Sequence, residues 1–324
     1  MNPPYHITKE ILKLVASVSE KIGQINAKLL DKPSPKLRKE NRIKTIHSSL
    51  SIEGNTLTEE QITALIERKR VIGPEKDINE VLNAIKVYDQ LQSFDPNSSK
   101  SFRKAHEILM NGLVSDNGKY RRTGVGIMAG NRIAHIAPPA DNMPHLMNDL
   151  FAYLKNSNEI TLIKSCVFHY EMEFIHPFRD GNGRMGRLWQ TLILMKEYPV
   201  FEFIPFENSI HKTQNEYYLS LSESDKSGNS TPFIEYMLQV INDALFALLD
   251  FKGRVVTTED RLFYFSERIL TDFTRREYMN IFKEISTATA SRDLKRGVEL
   301  GLFKKEGDKT KTVYRNLKKP DISI

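Results

Sequence analysis

Apolar side chains recur along most of this chain at spacings of three and four, the period of a helix with one buried face. The pattern predicts helices over residues 5–30, 37–51, 58–69, 76–92, 101–113, 142–155, 159–175, 184–196, 211–223 and 231–250. In the run from Arg184 to Lys196, Leu188, Leu192 and Met195 share one stripe, with Trp189 and Ile193 beside it. Gly54-Asn55 stops the helix that carries Ile43, Ile46 and Leu50. Thr58-x-x-Gln61 has the form of a capping box. Two stretches break the helical rhythm. Residues 124–136 (GVGIMAGNRIAHI) are β-prone around the turn dipeptide Gly130-Asn131, which predicts a hairpin ended by Pro138-Pro139. Beyond residue 250, two short helical segments precede two strand-like runs joined by a charged turn. The expected fold class is therefore mainly α: a helical bundle with a β-hairpin and a small separate C-terminal domain. Its expected parts are an N-terminal helical region (1–100), a core (101–250) and the C-terminal domain (251–324).

Charge sharpens that last boundary. The whole chain of 324 residues carries a net charge of +6. Residues 251–324 hold 17 Lys and Arg against 11 Asp and Glu, so the rest of the chain is neutral. The order of elements there resembles a winged helix-turn-helix, with Thr287–Arg296 as its recognition surface. That resemblance implies duplex DNA as a partner. A modest surplus and two acidic residues in the same helix leave a protein-interaction or dimerisation module equally open. A single cysteine, Cys166, excludes an intramolecular disulfide, and its apolar neighbours point to packing. With no signal peptide and no apolar run of 18 residues discerned, the expectation is a cytoplasmic protein with no membrane partner. A homodimer is compatible with the sequence.

The candidate chemistry lies in twelve residues, His176-Pro-Phe-Arg-Asp-Gly-Asn-Gly-Arg-Met-Gly-Arg187. Gly181 and Gly183 flank Asn182, so the backbone there has no Cβ to keep an anion away. The loop feeds a helix N-terminus, where N–H groups and the positive dipole end favour phosphate. Arg184 and Arg187 project from one side of the first turn, an unfavourable place for cations unless an anion is bound. Asp180 is placed to hold Mg²⁺ against phosphates, and His176 to accept a proton from a hydroxyl. Taken singly, the loop is an ordinary turn and the histidine an ordinary helix end; their order and spacing argue for a site.

These residues resemble the signature of the Fic family, His-x-Phe-x-Asp/Glu-Gly-Asn-Gly-Arg-x-x-Arg, with every specified position matched, and the resemblance extends over roughly residues 40 to 240. It implies transfer of AMP from ATP to a Ser, Thr or Tyr hydroxyl of a target protein, which includes the chain itself, with release of pyrophosphate. On that reading His176 is the general base and Phe178 a packing anchor. Asp180 is the ligand of Mg²⁺, and Gly181, Asn182 and Gly183 form an anion hole. Arg184 and Arg187 hold the β- and γ-phosphates, and Met185 and Gly186 belong to the same nucleotide-binding run. A nucleotide-sensing transcriptional regulator and removal of AMP at the same site remain alternatives, and UTP or GTP remain open as donors.

The same resemblance gives the hairpin a role as a flap that pairs with an extended target segment, with Ile133, Ala134, His135 and Ile136 as its edge. His135 is also a second titratable group there. Ser49-x-x-x-Glu53-Gly54 resembles the inhibitory motif of autoinhibited Fic proteins, which implies that Glu53 pairs with Arg187 and displaces the γ-phosphate. Tyr217 and Tyr218 are candidates for contact with adenine, although aromatic residues at helical spacing more often pack a core. Asp225 stands where some relatives have Asn.

Overall fold

The computed structural model describes residues 3–28, 35–129, 132–253, 258–269, 272–282, 285–307 and 312–317. The chain forms two compact units, one of residues 1–30 with 39–249 and one of 31–38 with 250–324. The boundary expected at residue 100 separates nothing, because the N-terminal helices supply part of the first unit's core.

In the first unit, α1 (Lys9–Lys28) buries Ile11, Leu14, Val18, Ile22 and Ile25 along one stripe. It runs beside α11 (Thr231–Gly253), and Ser17 Oγ and Lys21 Nζ both donate to Asn242 Oδ1 at 2.9 Å. The window Thr231–Leu249 is long and apolar enough to cross a membrane, which corrects the expectation of no such run; half of it is buried within the protein. Phe233, Ile234, Met237, Leu238 and Ile241 are among its core residues.

The centre of the unit is the pair α7 (Thr161–Ile175) and α8 (Asn182–Glu197), packed against each other and buried on almost every side. Helices without a polar stripe have to lie inside other helices, and α2 (Pro35–Ser51), α3 (Glu59–Ile66), α4 (Glu75–Asp89), α5 (Ser99–Leu109) and α6 (Met143–Asn156) belong to that surrounding layer. Two further helices complete the unit, α9 (Phe206–Lys212) and α10 (Gln214–Ser227). The periodicity merged α10 with the end of α9, and it gave no sign of the 3-10 turn Pro199–Phe203 before them. The Thr58–Gln61 capping box is present at the start of α3, with both reciprocal bonds made. Cys166 is fully buried in α7, where burial pushes its thiol up to about 12.

Strands β1 (Gly126–Ala129) and β2 (Arg132–Ile136) form an antiparallel hairpin. Ile127 pairs with His135 and Met128 with Ile133, so Ala134 is an extra residue that breaks the register. The turn residues Gly130 and Asn131 lie outside the described residues, as do the side chains of Ile133, Ala134, His135 and Ile136.

The second unit holds α12 (Thr258–Arg268), α13 (Arg275–Ile281), α14 (Thr287–Glu299) and the antiparallel pair β3 (Phe303–Glu306) and β4 (Val313–Asn316). Leu262, Phe265, Phe273, Tyr278, Leu294 and Phe303 form its core. Asp293, counted above among the acidic residues of the recognition surface, points inward instead. It is fully buried and accepts bonds from Arg261 Nε (2.6 Å), Arg261 Nη2 (2.9 Å) and Thr258 Oγ1 (2.7 Å).

Candidate active site

Helix α7 ends at Ile175, and His176 caps it with φ 51° and ψ 61°. A histidine in left-handed backbone is uncommon and costs roughly 1–2 kcal/mol, so neighbouring contacts have to hold it there. The chain then turns through Pro177 and reaches α8 within six residues of His176. Asn182 locks this turn: Phe178 N–H donates to its Oδ1 at 2.9 Å, and its Nδ2 donates to Phe178 O at 3.0 Å. Asn182 therefore acts through its side chain as a brace of the loop. The Phe178 ring is fully buried and stacks on His106 of α5, with centroids 3.6 Å apart and planes 5° from parallel.

His106 is a site residue that the sequence did not disclose. Gly118 N–H donates to its Nδ1 at 2.8 Å, which leaves Nε2–H to donate to Asp180 O at 2.9 Å. Burial pulls the imidazole down to about 4, so it is neutral at physiological pH and its tautomer is fixed by these partners.

Gly181 is the N-cap of α8 at φ 84°. A Cβ there would lie 2.7 Å from Met110 Sδ, so both conformation and space require glycine. The Asp180 carboxylate accepts from Gly181 N–H at 2.5 Å and from Arg184 Nη2 at 2.9 Å. Its side chain is 51% exposed, which leaves it open to a further ligand. Arg184 reaches in the other direction as well, with Nη1 3.0 Å from Glu80 Oε1 of α4. Glu80 is itself held by Asn55 Nδ2 at 2.8 Å. Nothing in the sequence marked Glu80, which stands 104 positions from Arg184.

The second signature arginine is enclosed. Arg187 has a fully buried side chain; Nη2 donates to Glu53 Oε1 (2.7 Å) and Ser49 O (2.9 Å), and Nε to Ser49 Oγ (3.1 Å). Burial opposes its charge, but the adjacent Glu53 prevails and holds its pKa above the ordinary arginine value. Its Nη1 is buried with no hydrogen-bond partner. Gly54, at φ 88°, turns the chain after α2 so that Glu53 faces the loop. A Cβ on Gly183 would run into Glu53 Oε1 and come within 3.1 Å of Arg187 Nη1, so the bare backbone of the anion loop lies against the carboxylate.

Three sequence candidates face the interior of the unit. Met185 is fully buried and its N–H is spent on Gly181 O at 3.0 Å. Gly186 faces inward, where a Cβ would lie 2.6 Å from His169 Cδ2. Tyr217 is buried, its hydroxyl 3.1 Å from His169 Nε2 and its ring against Phe233, so of the tyrosine pair only Tyr218, 48% exposed, offers a surface. Asp225 accepts from Tyr170 Oη at 2.9 Å.

The arrangement presents a histidine, an exposed carboxylate, a glycine-lined helix N-terminus and two buried guanidinium groups within twelve residues. The sequence model of the Fic/DOC family matches residues 96–194. The solved structure of a Fic family protein from Desulfovibrio desulfuricans is similar over 99% of this chain and 100% of that one, with a TM-score of 0.75 and 40% identity. The chain belongs to the Fic family. A protein adenylyltransferase Fic of Nematostella vectensis is 28% identical over 255 residues, which are 75% of this chain and 56% of that protein. Protein adenylyltransferase fic-1 of Caenorhabditis elegans is 26% identical over 69% of this chain and 44% of its own length. The chain thus spans about half the length of the curated relatives it matches. The solved structure of C. elegans Fic-1 shares the fold, with a TM-score of 0.63 at 22% identity.

Proposed function

We propose that this chain transfers AMP from ATP to a hydroxyl group of a protein and releases pyrophosphate. The observation that carries the reading is the convergence of His176, Asp180, the Gly181–Gly183 turn, Arg184 and Arg187 on the N-terminal end of α8. Phosphoryl-type transfer asks mainly for positioning and charge neutralisation. The first N–H groups of α8 and the two guanidinium groups supply the latter. His176 removes the proton of the attacking hydroxyl, which makes the oxygen a better nucleophile toward the α-phosphorus.

Magnesium fits the residues in a limited way. Among the described residues no cluster of three or more His, Cys, Asp or Glu could hold a metal. Asp180 offers one half-exposed carboxylate, which suits an ion that arrives with ATP and completes its shell with phosphate oxygens and water. Bound there, Mg²⁺ would neutralise phosphate charge.

The Glu53–Arg187 pair supports a resting state in which the γ-phosphate clamp is already occupied. Incubation with α-labelled ATP and Mg²⁺ tests both readings: Glu53→Gly should label itself or lysate proteins strongly, the unaltered chain weakly, and Glu53→Gly with His176→Ala not at all. Absence of label in every variant overturns the transfer reading, and equal labelling with and without Glu53 overturns the autoinhibition.

For the C-terminal unit we propose a winged helix that binds duplex DNA. Exposed Arg275, Arg276, Arg292, Lys295, Lys304 and Lys305 support it, as does the inward turn of Asp293. Affinity for a duplex that falls steeply as salt rises is the expected result. No binding at low salt overturns it.

A further inference from the structure

Arg121 lies between α5 and β1, is 3% exposed, and does not belong to the signature. Its guanidinium makes four hydrogen bonds, all to neutral carbonyl oxygens: Nε to His176 O (2.7 Å), Nη2 to Ile175 O (3.2 Å), Nη2 to Pro138 O (2.6 Å) and Nη1 to Thr123 O (2.9 Å). Its own N–H donates to Pro177 O at 2.9 Å. One residue therefore holds three successive carbonyls of the turn that carries His176. It also holds the strand-free segments on both sides of the hairpin, Thr123 before β1 and Pro138 after β2.

The electrostatics explain how a buried cation is accommodated here. The carbonyls of Ile175 and His176 belong to the last turn of α7, where the backbone lacks internal donors and the helix carries its negative end. The guanidinium is a charge-assisted cap for that end. Its planar fork reaches carbonyls from separate segments, which the compact ammonium of lysine does not do.

We propose that Arg121 is a positioning residue for the transfer reaction. It keeps His176 in left-handed backbone and ties that backbone to both roots of the hairpin, so that seating a target segment on the hairpin and aligning the base are mechanically one event. The inference rests on the AMP-transfer reading.

The test uses the full chain with Glu53→Gly as the active parent, and Arg121→Lys and Arg121→Gln introduced into it. Three quantities are compared: labelling rate at saturating ATP, calorimetric affinity for ATP with Mg²⁺, and amide hydrogen exchange. For Arg121→Lys the labelling rate should fall about 10²-fold, the effect of a misplacement near 1 Å, while ATP affinity stays within a factor of three. Exchange should accelerate together at residues 126–136 and 175–178 and nowhere else. An unchanged rate overturns the proposal. So does a parallel loss of rate, ATP affinity and thermal stability in both variants, which marks a merely structural residue, and so does faster exchange in only one of the two segments. If the Glu53→Gly parent does not label at all, the transfer reading fails, and the joint exchange response still decides whether the clamp exists.

Discussion

Glu53 Oε1 lies 2.7 Å from Arg187 Nη2, in a contact where the arginine is fully buried and the carboxylate is 28% exposed. The asymmetry matters. A partner that reaches water can leave, whereas the buried guanidinium cannot, so whatever replaces Glu53 has to be an anion.

Loss of Glu53 should therefore destabilise the protein in the absence of nucleotide. Removing one member of a fully buried pair costs about 3–5 kcal/mol, and partial exposure of Glu53 reduces that to about 1–3. Urea denaturation of Glu53→Gly should show this loss. Millimolar ATP with Mg²⁺ should restore more stability to the variant than to the unaltered chain, because only the variant offers an unopposed Arg187 to the ligand.

Glu80 does for Arg184 from inside what Glu53 does for Arg187 from the rim. Both Arg184 and Glu80 are nearly buried, with side chains 5% and 6% exposed. Glu80→Gln removes the charge but keeps an acceptor, and should cost about 2–4 kcal/mol in denaturation experiments. Glu80→Ala should cost more, since it removes both the Oε1 acceptor of Arg184 Nη1 and the Oε2 acceptor of Asn55 Nδ2.

Buried groups of opposite sign shape the acid side of the stability profile: Glu171 and Glu207 are raised, His106 and His169 lowered. Burial pushes Glu171 up to about 7 and pulls His106 down to about 4. Glu171 keeps its proton in the folded state while the unfolded chain loses it, so its contribution falls as pH rises from about 4.5 to 7. His106 stays neutral while the unfolded chain binds a proton, so its contribution is present above about pH 6.5 and is lost as pH falls toward 4. Glu207 acts in the same direction as Glu171, and His169 in the same direction as His106. Glu171→Gln should gain on the order of 3 kcal/mol at pH 8 and nothing at pH 4, and the variant's stability should climb with pH across that interval.

Gly186→Ala should destabilise although alanine is the better helix former. The gain in helix propensity is about 1 kcal/mol. The new Cβ would sit 2.6 Å from His169 Cδ2 and 2.7 Å from Met172 Cε, and His169 is pinned by Gln190 Oε1 at 2.6 Å from its Nδ1. Overpacking of this kind typically costs about 1–3 kcal/mol or more, and a lowered melting temperature with unchanged ATP affinity is the expected result.

Apart from the Glu53–Arg187 pair, which the resemblance implied across 134 positions and the structure contains, what was legible before the fold was known was local. Helix-forming stripes, the capping box at Thr58 and the signature from His176 to Arg187 are statements about residues close in sequence, and the α8 stripe of Leu188, Leu192 and Met195 is buried as its spacing implies. The same local view could not tell inward from outward faces. Asp293 reads as one more acidic residue until Arg261 and Thr258 close around it. Tyr217 reads as a core residue or an adenine contact, and the fold packs it against Phe233 and His169.

The sequence by itself determined most of the helices, the signature and the separate charge of the C-terminal unit, because short-range sterics and periodicity act within a few residues. Beyond Ser49 and Glu53, only the tertiary structure decided which groups act on that signature. Arg121, His106 and Glu80 bond to it from 55, 74 and 104 positions away. Burial is what gives these contacts their strength, since the same groups in water would scarcely interact, and burial is a property of the assembled core.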